Sequence, residues 1–431
     1  MVFTEPISDK SVTLSHNKAK NCSMNNRNEE IDVLIIGAGP SGTVAAGVLN
    51  KNGVSTKIIE KQSFPRFVIG ESLLPRCMDN LEKAGLLEVV KHQNFQEKFG
   101  AKFIDKSKNC DFDFSEQFSE GWGWTWQVKR AQFDQVLAQE IEKRGVPIAY
   151  NTEVTDVHFD QNGTSTTTIN REDGSSDTIT AKHIIDASGY GRVLPRLLQL
   201  DVPSNFPVRT SLFCHIKDLN RPTGADGNRI TIVVYKQDVW IWIIPFSDNI
   251  TSVGVVGSPE DINRFKGGAT DQFKSWISEV PELADRFNKM DYIFEPKQIT
   301  GYSSAVSKLY GDGYTLTGNS TEFLDPVFSS GVTFATESGA LAAELITRTL
   351  KGENVDWETE YSEYIKRGVD VFRSFIMGWY DGTLQKIFFT KKENELMKKQ
   401  ICSVLAGYVW DLENPFVKQH ARALKALADV L

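Results

Sequence analysis

The stretch IDVLIIGAGPSGTVAAGVLNKNGVSTKIIEK, residues 31–61, leaves the chain little freedom at its start. A branched apolar run, a glycine turn, a run of small helix-compatible residues and a second apolar run follow one another, which predicts strand, turn, helix and strand. Gly37, Gly39 and Gly42 carry the spacing of a dinucleotide fingerprint. The first permits the tight turn, the second lets backbone approach a pyrophosphate, and the third lets helix and strand pack closely. Ser41 lies inside that turn. Free N–H groups at the helix start then face the phosphates. Glu60, with Lys61 beside it, closes the second strand where an acid can hold ribose hydroxyls.

Later segments return to the same nucleotide. VKRAQFDQVLAQEIEKRG sets Arg130 ahead of an amphipathic helix, where a guanidinium can reach a cofactor phosphate. IIDASGYGR ends a strand in a turn at Gly189, and YTLTGNSTEFLDPVFSSGVTFATESGALAAELI reads as strand, loop and small-residue helix. Repeated return to one nucleotide predicts an α/β, FAD-binding, Rossmann-like fold of the glutathione-reductase, monooxygenase-like type. No second G-x-G-x-x-G follows, so a dedicated NAD(P)H domain is not expected. A β-rich substrate layer is expected from 95–125 and 205–300 within a domain spanning 31–350, and 351–431 reads as a helical region.

A net charge of −8 argues against a nucleic-acid partner, since phosphate binding needs a basic surface. No apolar run reaches membrane-spanning length. Residues 1–30 are polar without an apolar signal core and read as a disordered tail. Five scattered cysteines without metal or redox spacing suggest free thiols in a reducing cytoplasm, and no metal site is expected.

VWIWIIPF, Val239 to Phe246, alternates so that Trp240, Trp242 and Ile244 share one strand face and Val239, Ile241 and Ile243 the other. Both faces are apolar, so the strand is expected to be buried on both sides. Taken by itself this is core packing. GWGWTWQVKR, with Trp122, Trp124 and Trp126 alternating, reads as a second sheet wall. Lys98, in EKFGAK beside Lys102, taken by itself is a solvated surface lysine.

Together and in order, four segments resemble the flavin-dependent halogenases, from about residue 31 to the C-terminus. FPRFVIGESLLP (Phe64 to Pro75), FQEKFGAKF with Lys98 at the lysine position, WIWIIP (Trp240 to Pro245) and LDPVFSSGV (Leu324 to Val332) carry the resemblance, which is closest to the branch acting on phenols and pyrroles. It implies FAD supplied reduced as FADH2 by a separate NAD(P)H-dependent flavin reductase, with chloride or bromide as co-substrate. It also implies an electron-rich aromatic substrate, free or tethered to a carrier protein, and a substrate-capping role for the helical region 351–431, whose AGYVWDLENPFV (Ala406 to Val417) resembles the family's tail. Trp240, Trp242 and Pro245 then form a partition between flavin and substrate. Ser330 and Gly331 bind halide, Val332 touches the flavin, and Asn319 and Asp325 join Gly37, Gly39, Ser41, Gly42, Glu60, Lys61, Arg130 and Gly189 at the cofactor. Lys98 becomes the catalytic residue, acting as ammonium donor to a hypohalous acid or as a neutral amine. Two positions depart from the pattern: Asn319 stands where Asp is usual, and Phe328 where tryptophan halogenases carry a glutamate, which disfavours free tryptophan as substrate. A related hydroxylase or alkene reductase shares part of these motifs.

Overall fold

The structure is a computed structural model that describes residues 29–392 and 394–431. The tail expected over residues 1–30 falls outside this range except for Glu29 and Glu30, which begin the first strand. That strand, Glu29–Ile36, is the centre of a parallel sheet. Ser176–Asp186 and Thr56–Ile59 flank it, with Tyr314–Leu316 and Ile148–Ala149 beyond them. The strand interior is Val33, Leu34, Ile35 and Ile36, all buried, as a sheet covered on both faces requires. An antiparallel hairpin, Thr152–Phe159 with Ser165–Arg171, extends the long strand Ser176–Asp186 on its outer half. Helix Pro40–Lys51, the crossover between the first two strands, packs against helix Gly331–Leu350.

A second sheet of seven strands runs Lys297–Thr300, Thr210–Lys217, Ile250–Gly257, Val239–Pro245, Ile230–Lys236, Gly100–Asp105 and Lys108–Asp113. The tryptophan strand Val239–Pro245 is its middle member. Its Val239, Ile241 and Ile243 face a core completed by Phe273, Trp276 and Leu283 of the helices Ala269–Glu279 and Pro281–Phe287. Its Trp240, Trp242 and Ile244 face the cluster shared with the nucleotide-binding sheet. Each indole hides roughly 150–250 Å², stabilising the fold by about 4–6 kcal/mol before entropy is set against it. Neither indole N–H is left unpaired. Trp240 Nε1 donates to Tyr380 Oη at 3.0 Å and Trp242 Nε1 to Ser252 Oγ at 3.0 Å.

The expected wall at Trp122–Trp126 is shorter than the alternation suggests. Only Thr125–Gln127 is strand, paired with Gln96–Lys98. Gly121 takes φ +142°, and a Cβ on Gly123 would lie 3.0 Å from Ser115 Cα, so the chain bends there and leaves Trp122 and Trp124 half-buried. After residue 350 the chain is helical, with Tyr364–Tyr380, Glu395–Leu405 and His420–Val430 the longest helices. Phe372, Phe375 and Trp379 join the same apolar cluster as the tryptophan strand, so the helices close the core and do not stand apart. Among the described residues, Cys77, Cys214 and Cys402 are free of disulfides. No helix is long and apolar enough to cross a membrane among the described residues.

Candidate active site

Two helices begin at one cavity. The cavity encloses ≈ 560 Å³ and reaches from the turn Gly37–Ser41 to Gly331 and Val332. Helix Pro40–Lys51 has no side-chain cap and no acid in its first turn, and the same holds for Gly331–Leu350. Their free N–H groups and positive dipole ends are therefore available to a negative ligand. Gly37 has φ +101°, and a Cβ there would lie 2.6 Å from Ala187 O; a Cβ on Gly42 would lie 2.0 Å from Gly37 O. Gly39 is different. Its Cβ would meet only Arg66 Nη2 at 3.6 Å, so its backbone lies open to the cavity. Glu60 is buried at the strand end, accepting from Ala38 N at 2.8 Å and Gln62 N at 3.0 Å. An open glycine, an uncapped helix start and a fixed acid suit a dinucleotide, and the residues present fit FAD.

Of the other expected cofactor residues, Ser41, Lys61, Arg130, Gly189, Asn319 and Val332 line this cavity. Their groups are not equally available. Arg130 lies bidentate on Asp134, at 2.8 and 3.0 Å, and gives its remaining nitrogen to Ile69 O and Gly70 O. Lys61 is held by Glu153 at 2.6 Å. Ser41 Oγ donates to Thr317 Oγ1 at 2.8 Å. Gly42 and Asp325 do not line the cavity: Gly42 sits behind the turn, and Asp325 accepts from Val327 N at 3.0 Å and Tyr380 Oη at 2.9 Å. Burial raises the Asp325 carboxyl to about 6. Arg66, on the cavity wall with Nη1 3.1 Å from Asp134 and Nε 3.7 Å from Glu60, went unnoticed in the sequence although FPRF contains it.

A smaller chamber of ≈ 70 Å³ adjoins the first. Trp240, Trp242 and Ile244 form one wall; Ser329, Gly331 and Val332 form another; Glu71 and Ser72 complete it. Ser329 holds a left-handed φ of +58°, which ends the short turn Pro326–Phe328 and turns the chain into the helix. Ser330 is the buried residue preceding that helix and does not line the chamber.

The FAD binding domain family matches residues 30–265. Over 390 residues the chain is 31% identical to the 1H-pyrrole-2-carbonyl-[peptidyl-carrier protein] brominase of Pseudoalteromonas luteoviolacea, covering 89% of this chain and 93% of that one. The chain belongs to the flavin-dependent halogenases.

A solved flavin-dependent brominase superposes on this halogenase with a TM-score of 0.82 at 27% identity, over 93% of this chain and 99% of the other. A protein from Cytophaga hutchinsonii described as a flavoprotein/dehydrogenase is nearer in sequence, at 55% identity and a TM-score of 0.91, over 93% and 98% of the two chains.

In this halogenase Lys98 is not the solvated residue its neighbours suggest. It is 1% exposed. Its Nζ donates to Ser72 Oγ at 2.8 Å and Leu73 O at 2.7 Å, and lies 5.3 Å from the Phe114 ring centre. Burial lowers the ammonium from 10.5 to about 7. Backbone pairing puts it there. Lys98 faces Thr125 across the two-stranded ladder, and Leu73 N donates to Trp126 O on the ladder's other side. Ser72 thus touches the lysine and walls the chamber. Phe328, at the position of the missing glutamate, packs among Phe103, Phe375 and Trp379 with ring centres 5.9–6.4 Å apart. Tyr380, which joins Trp240 to Asp325, carried no sequence signal because it lies in the C-terminal helices.

Proposed function

We propose that this halogenase takes FAD in its reduced form from a separate flavin reductase and uses O2 with chloride or bromide to halogenate an electron-rich aromatic ring. The ring is of phenol or pyrrole type, free or tethered to a carrier protein. The pyrrole brominase relative, whose own substrate is carrier-bound, supports the tethered alternative. The observation that carries the reading is the fully buried Lys98 held against Ser72 on the wall of the small chamber.

FAD, when bound and reduced, supplies the activation of O2 that oxidises halide to a hypohalous acid. The chain's own residues do the rest. Gly39 and the uncapped helix start hold the pyrophosphate, Glu60 the ribose, and Val332 borders the flavin end. Backbone N–H groups at Ser330 and Gly331 hold halide at the second helix start. Trp240 and Trp242 keep the organic ring away from the oxidising centre and leave room for a small species alone. Lys98 as ammonium uses two N–H groups on Ser72 and Leu73 and keeps a third for the hypohalous acid, orienting its halogen. As a neutral amine it offers a lone pair in its place; with the ammonium lowered to about 7, both forms are present at neutral pH. Phe328 supplies no carboxylate, which suits a ring already activated by its own hydroxyl or nitrogen.

The test is mass spectrometry on a panel of phenols and pyrroles, free and carrier-bound, with FAD, a flavin reductase, O2 and each halide. Halogenated product that requires halide and reductase supports the proposal. Halide-independent hydroxylation, or direct oxidation of NADPH by the isolated protein, contradicts it. Gly331→Val places carbon where a Cβ already meets Phe323 at 3.2 Å, and should remove halide dependence of turnover while the fold persists.

A further inference from the structure

Glu71 and His215 are buried, and the reading above uses neither. Glu71 belongs to the segment before Pro75 and is 2% exposed; His215 lies on the strand Thr210–Lys217 and is 7% exposed. His215 Nε2 and Glu71 Oε1 are 2.5 Å apart. The second carboxylate oxygen, Glu71 Oε2, is buried and has no hydrogen-bond partner among the described residues. Glu71 also lines the ≈ 70 Å³ chamber together with Trp240, Trp242, Ser329 and Gly331.

An anion at Gly331 would therefore share a mostly apolar space with a carboxylate. Like charges in such a space repel strongly, and a proton on one of them relieves the repulsion. Other charged groups are committed elsewhere. Arg130 turns to Asp134 and to the carbonyls of Ile69 and Gly70. Lys98 turns to Ser72 and Leu73. Lys129 pairs with Asp248 outside Phe246, and Lys297 lies over Phe67 and Phe294. Those three rings pack around the His215 imidazole at 4.8–5.9 Å. Asp325, the carboxylate on the halide loop, is held by Val327 and Tyr380. With a neutral imidazole and an ionised Glu71 the pair carries one negative charge. One added proton gives imidazolium beside carboxylate, with no net charge.

We propose that the Glu71–His215 pair is the proton-binding partner of the halide site, so that halide occupies the chamber with uptake of one proton by this pair. The proposal rests on the assignment of halide to the Ser330–Gly331 loop. The experiment is calorimetric titration of bromide into FAD-bound protein, in two buffers of different ionisation heat, from pH 6 to 8.5. Toward pH 8.5 we expect close to one proton taken up per bromide and a Kd rising about tenfold per pH unit. Glu71→Gln keeps the size and removes the charge; proton uptake should vanish and Kd become flat with pH. His215→Gln keeps a donor for Glu71 but removes the imidazole, and should weaken bromide binding at pH 7 tenfold or more. Lys98→Met removes a further titrating group near the chamber and should leave the uptake in place. A merely structural pair would weaken binding in both variants without flattening the pH slope. Zero uptake by the wild type, or a slope that persists in Glu71→Gln, overturns the proposal; should Glu71→Gln fail to fold, the wild-type proton count and His215→Gln decide. If Gly331→Val binds bromide as the wild type does, the halide assignment falls first. If it loses binding while Glu71→Gln keeps proton uptake, only the present inference falls.

Discussion

Replacing Lys98 by Met separates the cost of burying an amine from its use. The ammonium's pKa is 10.5 in an unfolded chain and about 7 here, lowered by burial. Between those values the unfolded chain binds the proton and the folded one does not, so wild-type stability rises with pH across the window. The slope approaches ~1.4 kcal/mol per pH unit and sums to about 5 kcal/mol. Below pH 7 the full penalty is present; above 10.5 it is gone. Methionine has similar bulk and no charge, so Lys98→Met lacks this dependence. It loses the hydrogen bonds to Ser72 and Leu73, a pH-independent loss of about 1 kcal/mol each. The variant should be more stable than the wild type at pH 7 by roughly 2–3 kcal/mol, and that advantage should shrink by about 2–3 kcal/mol at pH 9. Urea unfolding of both proteins at the two pH values measures this, because the difference between variants cancels every other titrating group. In the same preparations, flavin reoxidation should continue while halogenated product disappears. If the two proteins keep a constant stability difference from pH 7 to 9, Lys98 is not held at a lowered pKa and the argument from burial is wrong. If flavin reoxidation is lost too, the amine does not act apart from the flavin.

Two glycines at the turn should part company: Gly42→Ala drives a Cβ to 2.0 Å from Gly37 O and should cost more than about 2 kcal/mol of stability along with FAD binding, whereas Gly39→Ala meets nothing closer than 3.6 Å and should fold normally while binding FAD more weakly. Thermal melts and flavin titration distinguish the two. Tyr380→Phe removes the donor to Asp325 and the acceptor of Trp240, and should cost about 2–3 kcal/mol and push the Asp325 carboxyl, already raised to about 6, higher still. Unfolding between pH 5 and 8 measures both, and an unchanged profile would refute the Trp240–Tyr380–Asp325 link.

The sequence by itself determined the elements whose signals are local. Glycine spacing, a branched strand on either side and an acid at the second strand's end specify the nucleotide-binding unit, because turn geometry and helix–strand packing act over neighbouring residues. Alternation in VWIWIIPF determined two buried faces, and the sheet has them. What lay out of reach depends on residues far apart in the chain. Lys98 looks solvated beside Lys102; only pairing with Thr125, and the crossing of Ser72 and Leu73, removes water from it and lowers its ammonium. Trp122 and Trp124 alternate like a strand, yet Gly121 and Gly123 bend the chain against Ser115. Glu71 meets His215 across 144 positions and Trp240 meets Tyr380 across 140. Hydrogen bonds of that span leave no periodicity, since each partner satisfies its own element's pattern, and only the packed tertiary structure decides that they touch.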